Sequence, residues 1–238
     1  MFDHLLFALV VLITPALEWR WLYPRLRRDV AHGDPAVRRA YYRTGMLMSW
    51  GLTGLVLAWW IVSDRPWESL LLGMVTTVQL AIGCGLAVVG LVLTWVQWRV
   101  VCGNTKHLEM VRRSLGQGQA LLPHTPGERR SFLLVAVTAG ICEEVLYRGF
   151  VMGYVGTWTG PELAVVLSSV AFGLAHLYLG FSHVIRTTVV GAVYALIALA
   201  AGSLWPAMIL HVATDLVGGD LAYRAVQASV AGTSPAAP

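Results

Sequence analysis

Two adjacent glutamates and an arginine lie inside an apolar stretch of the chain, where ionisable side chains are rare. Glu143, Glu144 and Arg148 fall near the middle of the segment 132–154, which reads as one membrane helix. A charged group at the centre of a bilayer is costly and marks a functional site by default. The first chemistry to expect is therefore proton transfer or charge pairing away from bulk water.

The spacing of these three side chains assigns them different positions. Glu144 and Arg148 are four residues apart, so on a helix they share a face and are predicted to form an ion pair. Glu143 points about 100° away around the helix axis. Its carboxylate is left free to face a cavity, which suits a general base acting on water. The alternative is that both glutamates bind Arg148 and only lock helices together.

Two later apolar segments each contribute a histidine. His176 follows Phe172 by four residues in the segment 163–179, and His211 precedes Asp215 by four residues in the segment 204–223. Asp215 is predicted to accept a hydrogen bond from His211 and fix its tautomer. The alternatives are hydrogen bonds that join helices or a proton relay in a transporter.

These three motifs, in this order on consecutive segments, resemble those of the CPBP family of intramembrane proteases. That family includes the type II CAAX prenyl endopeptidases and the bacteriocin-immunity Abi proteins. The resemblance covers roughly residues 130–223 and leaves the first three apolar segments without a motif. The matching motifs are Glu143-Glu144-x-x-x-Arg148, Phe172-x-x-x-His176 and His211-x-x-x-Asp215.

The resemblance implies catalytic roles for the first two motifs. Glu143 corresponds to the glutamate that activates the attacking water, with His176 assisting it. Glu144 and Arg148 correspond to the accompanying ion pair. Phe172 is assigned to the substrate pocket.

The resemblance also implies that the third motif stabilises the oxyanion. His211 and the position of Asp215 correspond to the pair with this role, but CAAX-processing members carry asparagine at the second position. An ionised Asp215 cannot donate a hydrogen bond. Either Asp215 is protonated, or it orients a protonated His211 that donates alone, and we favour the second interpretation.

The same residues are compatible with two mechanisms, one that uses zinc and one that uses no cofactor. Glu143, His176 and His211 could form a zinc site with two histidines and one glutamate, with one position open for water. The chain has no His-Glu-x-x-His helix, and a glutamate acting directly on water explains the same residues. We therefore predict no cofactor, with zinc as the alternative.

Composition places this site in a membrane protein. Of the 238 residues, 57% are hydrophobic and 13% are charged, whereas soluble domains carry about 25% charged residues. The formal net charge is +4, and the basic residues flank apolar segments, as the positive-inside rule expects. A nucleic-acid partner is therefore not indicated. The expected partners are membrane lipids and a membrane-associated peptide or protein substrate.

The apolar segments predict an all-α, polytopic transmembrane bundle of about seven spans. Arginine-rich loops follow the first and third spans, which places the N-terminus outside and the C-terminus in the cytoplasm. The third span is long, so it is expected to tilt or to be interrupted around Gly83 and Gly85. A bacterial inner membrane is the expected location. The predicted spans are 2–18, 45–62, 70–98, 132–154, 163–179, 184–201 and 204–223.

The predicted organisation separates a front without motifs from a catalytic back. Residues 1–129 form the N-terminal transmembrane region, 130–225 the catalytic transmembrane domain, and 226–238 a disordered tail. The leading function is an intramembrane endopeptidase with a glutamate-activated water. The alternatives are a non-catalytic immunity or scaffold protein of the same fold and a proton-coupled transporter.

Overall fold

The computed structural model describes residues 1–34, 36–114 and 116–232. Every regular element in these ranges is helical, and none of them is a strand. The prediction of an all-α protein is therefore confirmed.

Three long helices form the front of the chain. Helix α1 covers Phe2–Ala31 and contains π-helical turns at Leu9–Ile13 and Glu18–Leu22. Helix α2 covers Val37–Val62 and α3 covers Thr77–Cys102. Helix α3 is continuous through the glycines where an interruption was one of the two expectations.

A shorter region of loops and one small helix joins the front to the back. Helix α4 covers Thr105–Ser114, and a 3₁₀ turn covers Gly116–Leu121. Helix α5 then begins with a capping box, in which the Thr125 side chain accepts from the Glu128 backbone N–H and the Glu128 carboxylate accepts from the Thr125 backbone N–H. The box satisfies two N–H groups that a helix start otherwise leaves without partners.

Four helices form the back. Helix α5 runs continuously over residues 126–159, with α-helical parts at Pro126–Glu143 and Met152–Thr159 on either side of a π-helical part at Glu144–Val151. Helix α6 covers Pro161–Ala175, α7 covers Phe181–Ala201, and α8 covers Trp205–Gly232. Helix α8 thus includes residues 226–232 of the predicted tail, and 233–238 lie outside the described residues.

The helices overlap the seven predicted spans, but they differ in length and in hydropathy. In the described part of the chain, α1, α2, α3 and α7 are long and apolar enough to cross a membrane, and α6 is apolar but shorter. Apolar side chains such as Val92 and Val189 are more than half exposed on these helices. A membrane protein turns such side chains towards lipid, so the protein is an integral membrane protein.

Two buried clusters meet at the π-helical part of α5. One cluster joins α1, α2, α5 and α6 through side chains that include Val10, Val56, Phe150 and Phe172. The other joins α3, α5, α7 and α8. All eight residues of Glu144–Val151 are buried between them.

Small residues let α8 and α3 approach their neighbours closely. A side chain at Gly140 would collide with the backbone and side chain of Val212, and one at Gly83 would collide with Ala201. Small residues at helix crossings are the usual device for close packing in membranes. The contact at Gly140 holds α8 against α5 one turn before the paired glutamates.

Candidate functional site

The centre of the site is a buried ion pair within α5. Nη1 of Arg148 donates to Oε1 of Glu144 at 2.9 Å, and the two side chains are 1% and 0% exposed. The predicted pair between residues four apart is therefore present. The π-helical part widens the helix at this point, and such insertions occur often at functional sites.

Neighbouring helices hold the Arg148 guanidinium in place. Its Nη2 donates to the backbone carbonyl of Gly191 on α7 at 3.0 Å, and its central carbon lies 4.1 Å from the ring centroid of Phe172 on α6. A side chain at Gly191 would collide with both groups. Glycine is needed there because the guanidinium occupies the space of a side chain.

His211 binds the same glutamate. Its Nδ1 lies 2.8 Å from Oε1 of Glu144, and a carboxylate oxygen accepts, so Nδ1 donates. The ring is 4% exposed and stacks on Tyr194 with 4.6 Å between ring centroids. This contact joins α5 to α8 and leaves Nε2 as the nitrogen available for chemistry.

Two further carboxylates lie beside Nε2 of His211. Oε2 of Glu143 is 3.8 Å away and Oδ2 of Asp215 is 3.7 Å away. Both distances exceed that of a direct hydrogen bond. His211 and Asp215 thus lie at ion-pair distance without the predicted direct hydrogen bond, while Glu144 from the neighbouring helix binds Nδ1 and orients the ring.

His176 lies at the end of α6 and faces the same region. The helix ends at Ala175, and His176 is its C-cap. Nδ1 of His176 lies 2.8 Å from the backbone carbonyl of Phe172. Because a carbonyl only accepts, Nδ1 carries a proton, and Nε2 is the ring nitrogen left outside this contact.

A cavity of about 200 Å³ connects Glu143 and His176, which both line it. The Glu143 side chain is 24% exposed, in contrast to the fully buried Glu144. The prediction that one glutamate is paired and the other faces a cavity agrees with these positions. The cavity has room for several water molecules, each of which takes about 30 Å³ in the liquid.

The assignment of Phe172 to the substrate pocket stays a prediction, and its ring is buried in this structure. It is 2% exposed, and it is not among the described residues that line the cavity. Its ring instead packs between Arg148 and the edge of Tyr147. Burial against the guanidinium gives it a supporting position beneath the site.

The cavity has a second wall that the motifs did not predict. Glu18 on α1 and Tyr41 on α2 line it together with apolar side chains of both helices. Tyr194 and Gly191 on α7 are further contacts of the site that sequence reasoning missed. The available signal for Tyr194 was a tyrosine hydroxyl group in the middle of an apolar span.

The described residues contain no group of three or more histidine, cysteine, aspartate and glutamate side chains arranged to hold a metal ion. The proposed zinc ligands Glu143, His176 and His211 thus do not form such a group in this structure. Cys142 is fully buried in α5 with a free thiol, in agreement with a packing role.

Fold and site define an all-helical membrane protein with buried acid–base groups from three helices of its back half. The family model described as type II CAAX prenyl endopeptidase, Rce1-like, matches residues 127–217. This match confirms the resemblance to the CPBP and CAAX protease family, over a segment that contains all three motifs. No curated protein and no solved structure matched the chain.

Proposed function

We propose that this protein is an intramembrane endopeptidase that hydrolyses a peptide bond in a membrane-associated protein or peptide, as in CAAX-type or C-terminal processing. One observation carries the proposal. Glu143 opens onto a cavity next to His211, while the adjacent Glu144 is neutralised by Arg148. Two neighbouring carboxylates in such different surroundings suit one catalytic base and one fixed structural anion.

In the proposed reaction, Glu143 removes a proton from a water molecule in the cavity, and the resulting hydroxide attacks the scissile carbonyl carbon. His176 lines the same cavity and assists in holding this water through its free Nε2. The proton on Glu143 then passes to the leaving amine, which completes hydrolysis. General-base assistance of this kind contributes about 10²–10⁴-fold to the rate.

The negative charge that develops on the carbonyl oxygen requires a donor. His211 is held by Glu144 through Nδ1, so a doubly protonated ring presents Nε2–H on the side of Glu143 and Asp215. Asp215 adds a negative charge near this nitrogen and stabilises the protonated ring. A preorganised donor at this point is worth about 3–4 kcal/mol of transition-state stabilisation.

The proposed topology has seven spans, with the N-terminus outside and the C-terminus in the cytoplasm. Contacts between loops support it, because they form two groups at opposite ends of the helices. At one end, Arg65 binds Asp3 and the backbone N–H of Leu204 donates to Leu71. At the other end, Arg38 donates to the Ala120 carbonyl. The second end carries the arginine-rich loops and is therefore cytoplasmic. For the location of the protein we propose a bacterial inner membrane.

The test compares membrane-protein termini in cells that carry wild-type protein or Glu143→Gln. New C-termini that appear only with wild type would identify both the reaction and its substrate. The expected result is loss of these termini in Glu143→Gln with unchanged membrane insertion. Retained cleavage by purified Glu143→Gln protein would remove the proposed base, and full complementation of a null strain would favour a non-catalytic role.

A further inference from the structure

The front half of the cavity contains an acidic side chain that the proposed reaction does not use. Glu18 lies in the π-helical turn Glu18–Leu22 of α1 and lines the same cavity as Glu143. It lies in the part of the chain that the family model does not match. It is therefore a feature of this chain that the shared motifs do not explain.

Glu18 has acceptor capacity that its neighbours leave unused. The Tyr41 hydroxyl donates a hydrogen bond to its Oε1. The ion pairs found in the described ranges do not include Glu18. A carboxylate accepts about four hydrogen bonds, so a neutral tyrosine leaves most of this capacity free and supplies no positive charge.

The cavity is lined by two acidic side chains. Its described lining includes the carboxylates of Glu18 and Glu143 together with His176, and it contains neither lysine nor arginine. The remaining lining is largely apolar, with side chains such as Leu22, Met46 and Leu52. An acidic group in an apolar cavity attracts a cation strongly, because the low-dielectric wall screens the charge poorly.

Aromatic contacts connect Glu18 to the catalytic half of the cavity. The ring of Tyr178 stacks on His176 and packs against Tyr23 on α1, and Tyr23 in turn contacts the ring of Tyr41. These rings lie along the cytoplasmic side of the site in the proposed topology. A peptide whose scissile bond is at Glu143 would therefore extend towards Glu18.

We propose that Glu18, positioned by Tyr41, is a specificity-determining residue that binds a lysine or arginine side chain of the substrate peptide close to the scissile bond. The inference rests on the proposed peptidase function and adds a class of substrate to it. The proposed occupant of this half of the cavity is a cationic side chain on an otherwise apolar segment. Its charge is complementary to Glu18, and its apolar part fits the apolar walls.

The experiment uses the full chain in lipid nanodiscs and apolar fluorogenic peptides. Each peptide carries lysine, norleucine or glutamate at one position flanking the scissile bond. Wild type should prefer lysine to norleucine at one position by at least about tenfold, which corresponds to about 1.4 kcal/mol. Glu18→Gln should bring that ratio close to one, and Glu18→Lys should reverse the preference towards glutamate.

The matched control is Glu162→Gln, which neutralises an exposed glutamate at the start of α6 and should keep the wild-type ratio. Thermal unfolding of each variant reports folding, and Glu18→Met supplies a second neutral variant if Glu18→Gln does not fold. An unchanged lysine-to-norleucine ratio in a folded neutral variant would overturn the inference.

A binding measurement separates this inference from the proposed reaction. Fluorescence anisotropy with dye-labelled lysine and norleucine peptides is measured on Glu143→Gln and on the double variant Glu143→Gln/Glu18→Gln. A lysine preference lost only in the double variant supports the inference even if wild type cleaves none of the peptides. Equal binding of both peptides to Glu143→Gln, beside normal cleavage by wild type, would overturn the inference and leave the peptidase intact.

Discussion

Replacing Arg148 by methionine removes the cation from the centre of the site while keeping much of the volume of its stem. The Glu144 carboxylate is fully buried, and both of its polar contacts use Oε1. Its Oε2 has no hydrogen-bond partner in the described part of the chain. Arg148 provides a permanent positive charge next to this carboxylate, and His211 provides a second donor.

The expected loss of stability follows from these contacts. Breaking a buried ion pair by removing one partner costs about 3–5 kcal/mol. The Gly191 carbonyl also loses this contact, but it lies inside α7 and keeps its helical N–H donor. We therefore expect Arg148→Met to lower the free energy of unfolding by at least about 3 kcal/mol, from the broken ion pair alone.

The assay is unfolding in mixed micelles by titration with sodium dodecyl sulfate, followed by the fluorescence of the 10 tryptophans. The double variant Glu144→Gln/Arg148→Met should recover part of the loss, with a coupling energy of about 0.5–3 kcal/mol. Arg112→Met on α4, whose pair with Glu109 is partly exposed, should leave the midpoint unchanged. A loss below about 1 kcal/mol for Arg148→Met, typical of an exposed pair, would refute the argument from burial.

Two further predictions concern the catalytic groups. Glu144→Gln should lower kcat by about 10²-fold or more, since loss of the carboxylate that orients a catalytic histidine can cost about 10⁴-fold. Asp215→Asn should lower kcat less, because Asp215 is 3.7 Å from Nε2 of His211. If both variants fold and lose kcat equally, Glu144 is not the dominant orienting residue, and Asp215 shares that role. The zinc chelator dipicolinate should leave cleavage unchanged, since Glu143 is proposed to act on water directly. Loss of cleavage that added zinc restores would instead support a zinc site with His176.

Spacing within one helix predicted part of the site because it fixes which side chains share a face. The pair of Glu144 with Arg148 follows from residues four apart, and the outward position of Glu143 follows from the turn angle. The same rule brings Asp215 within 3.7 Å of Nε2 of His211, but it does not identify the partner of Nδ1. A residue 67 positions earlier in the chain is closer to Nδ1 of His211, and spacing along a single helix gives no information about such a competitor.

Burial explains the other difference between sequence and structure. Phe172 precedes His176 by one turn, so both were expected to line the site. Helix α6 ends between them, at Ala175, so His176 turns towards the cavity while Phe172 remains packed on Arg148. The end of a helix depends on backbone packing as well as on residue type, and apolar periodicity does not locate it to within one turn.

The predicted catalytic back and the front without motifs therefore both contribute side chains to the cavity. The proposed reacting groups come from α5, α6 and α8, but the opposite wall comes from α1 and α2. The proposed chemistry at Glu143 would constrain the first wall to a few residue types, whereas the second wall would only have to fit a substrate. Changes at Glu18 and Tyr41 can alter which peptide is bound without altering how water is activated, so selectivity in this protein is expected to reside in the half that the family model does not match.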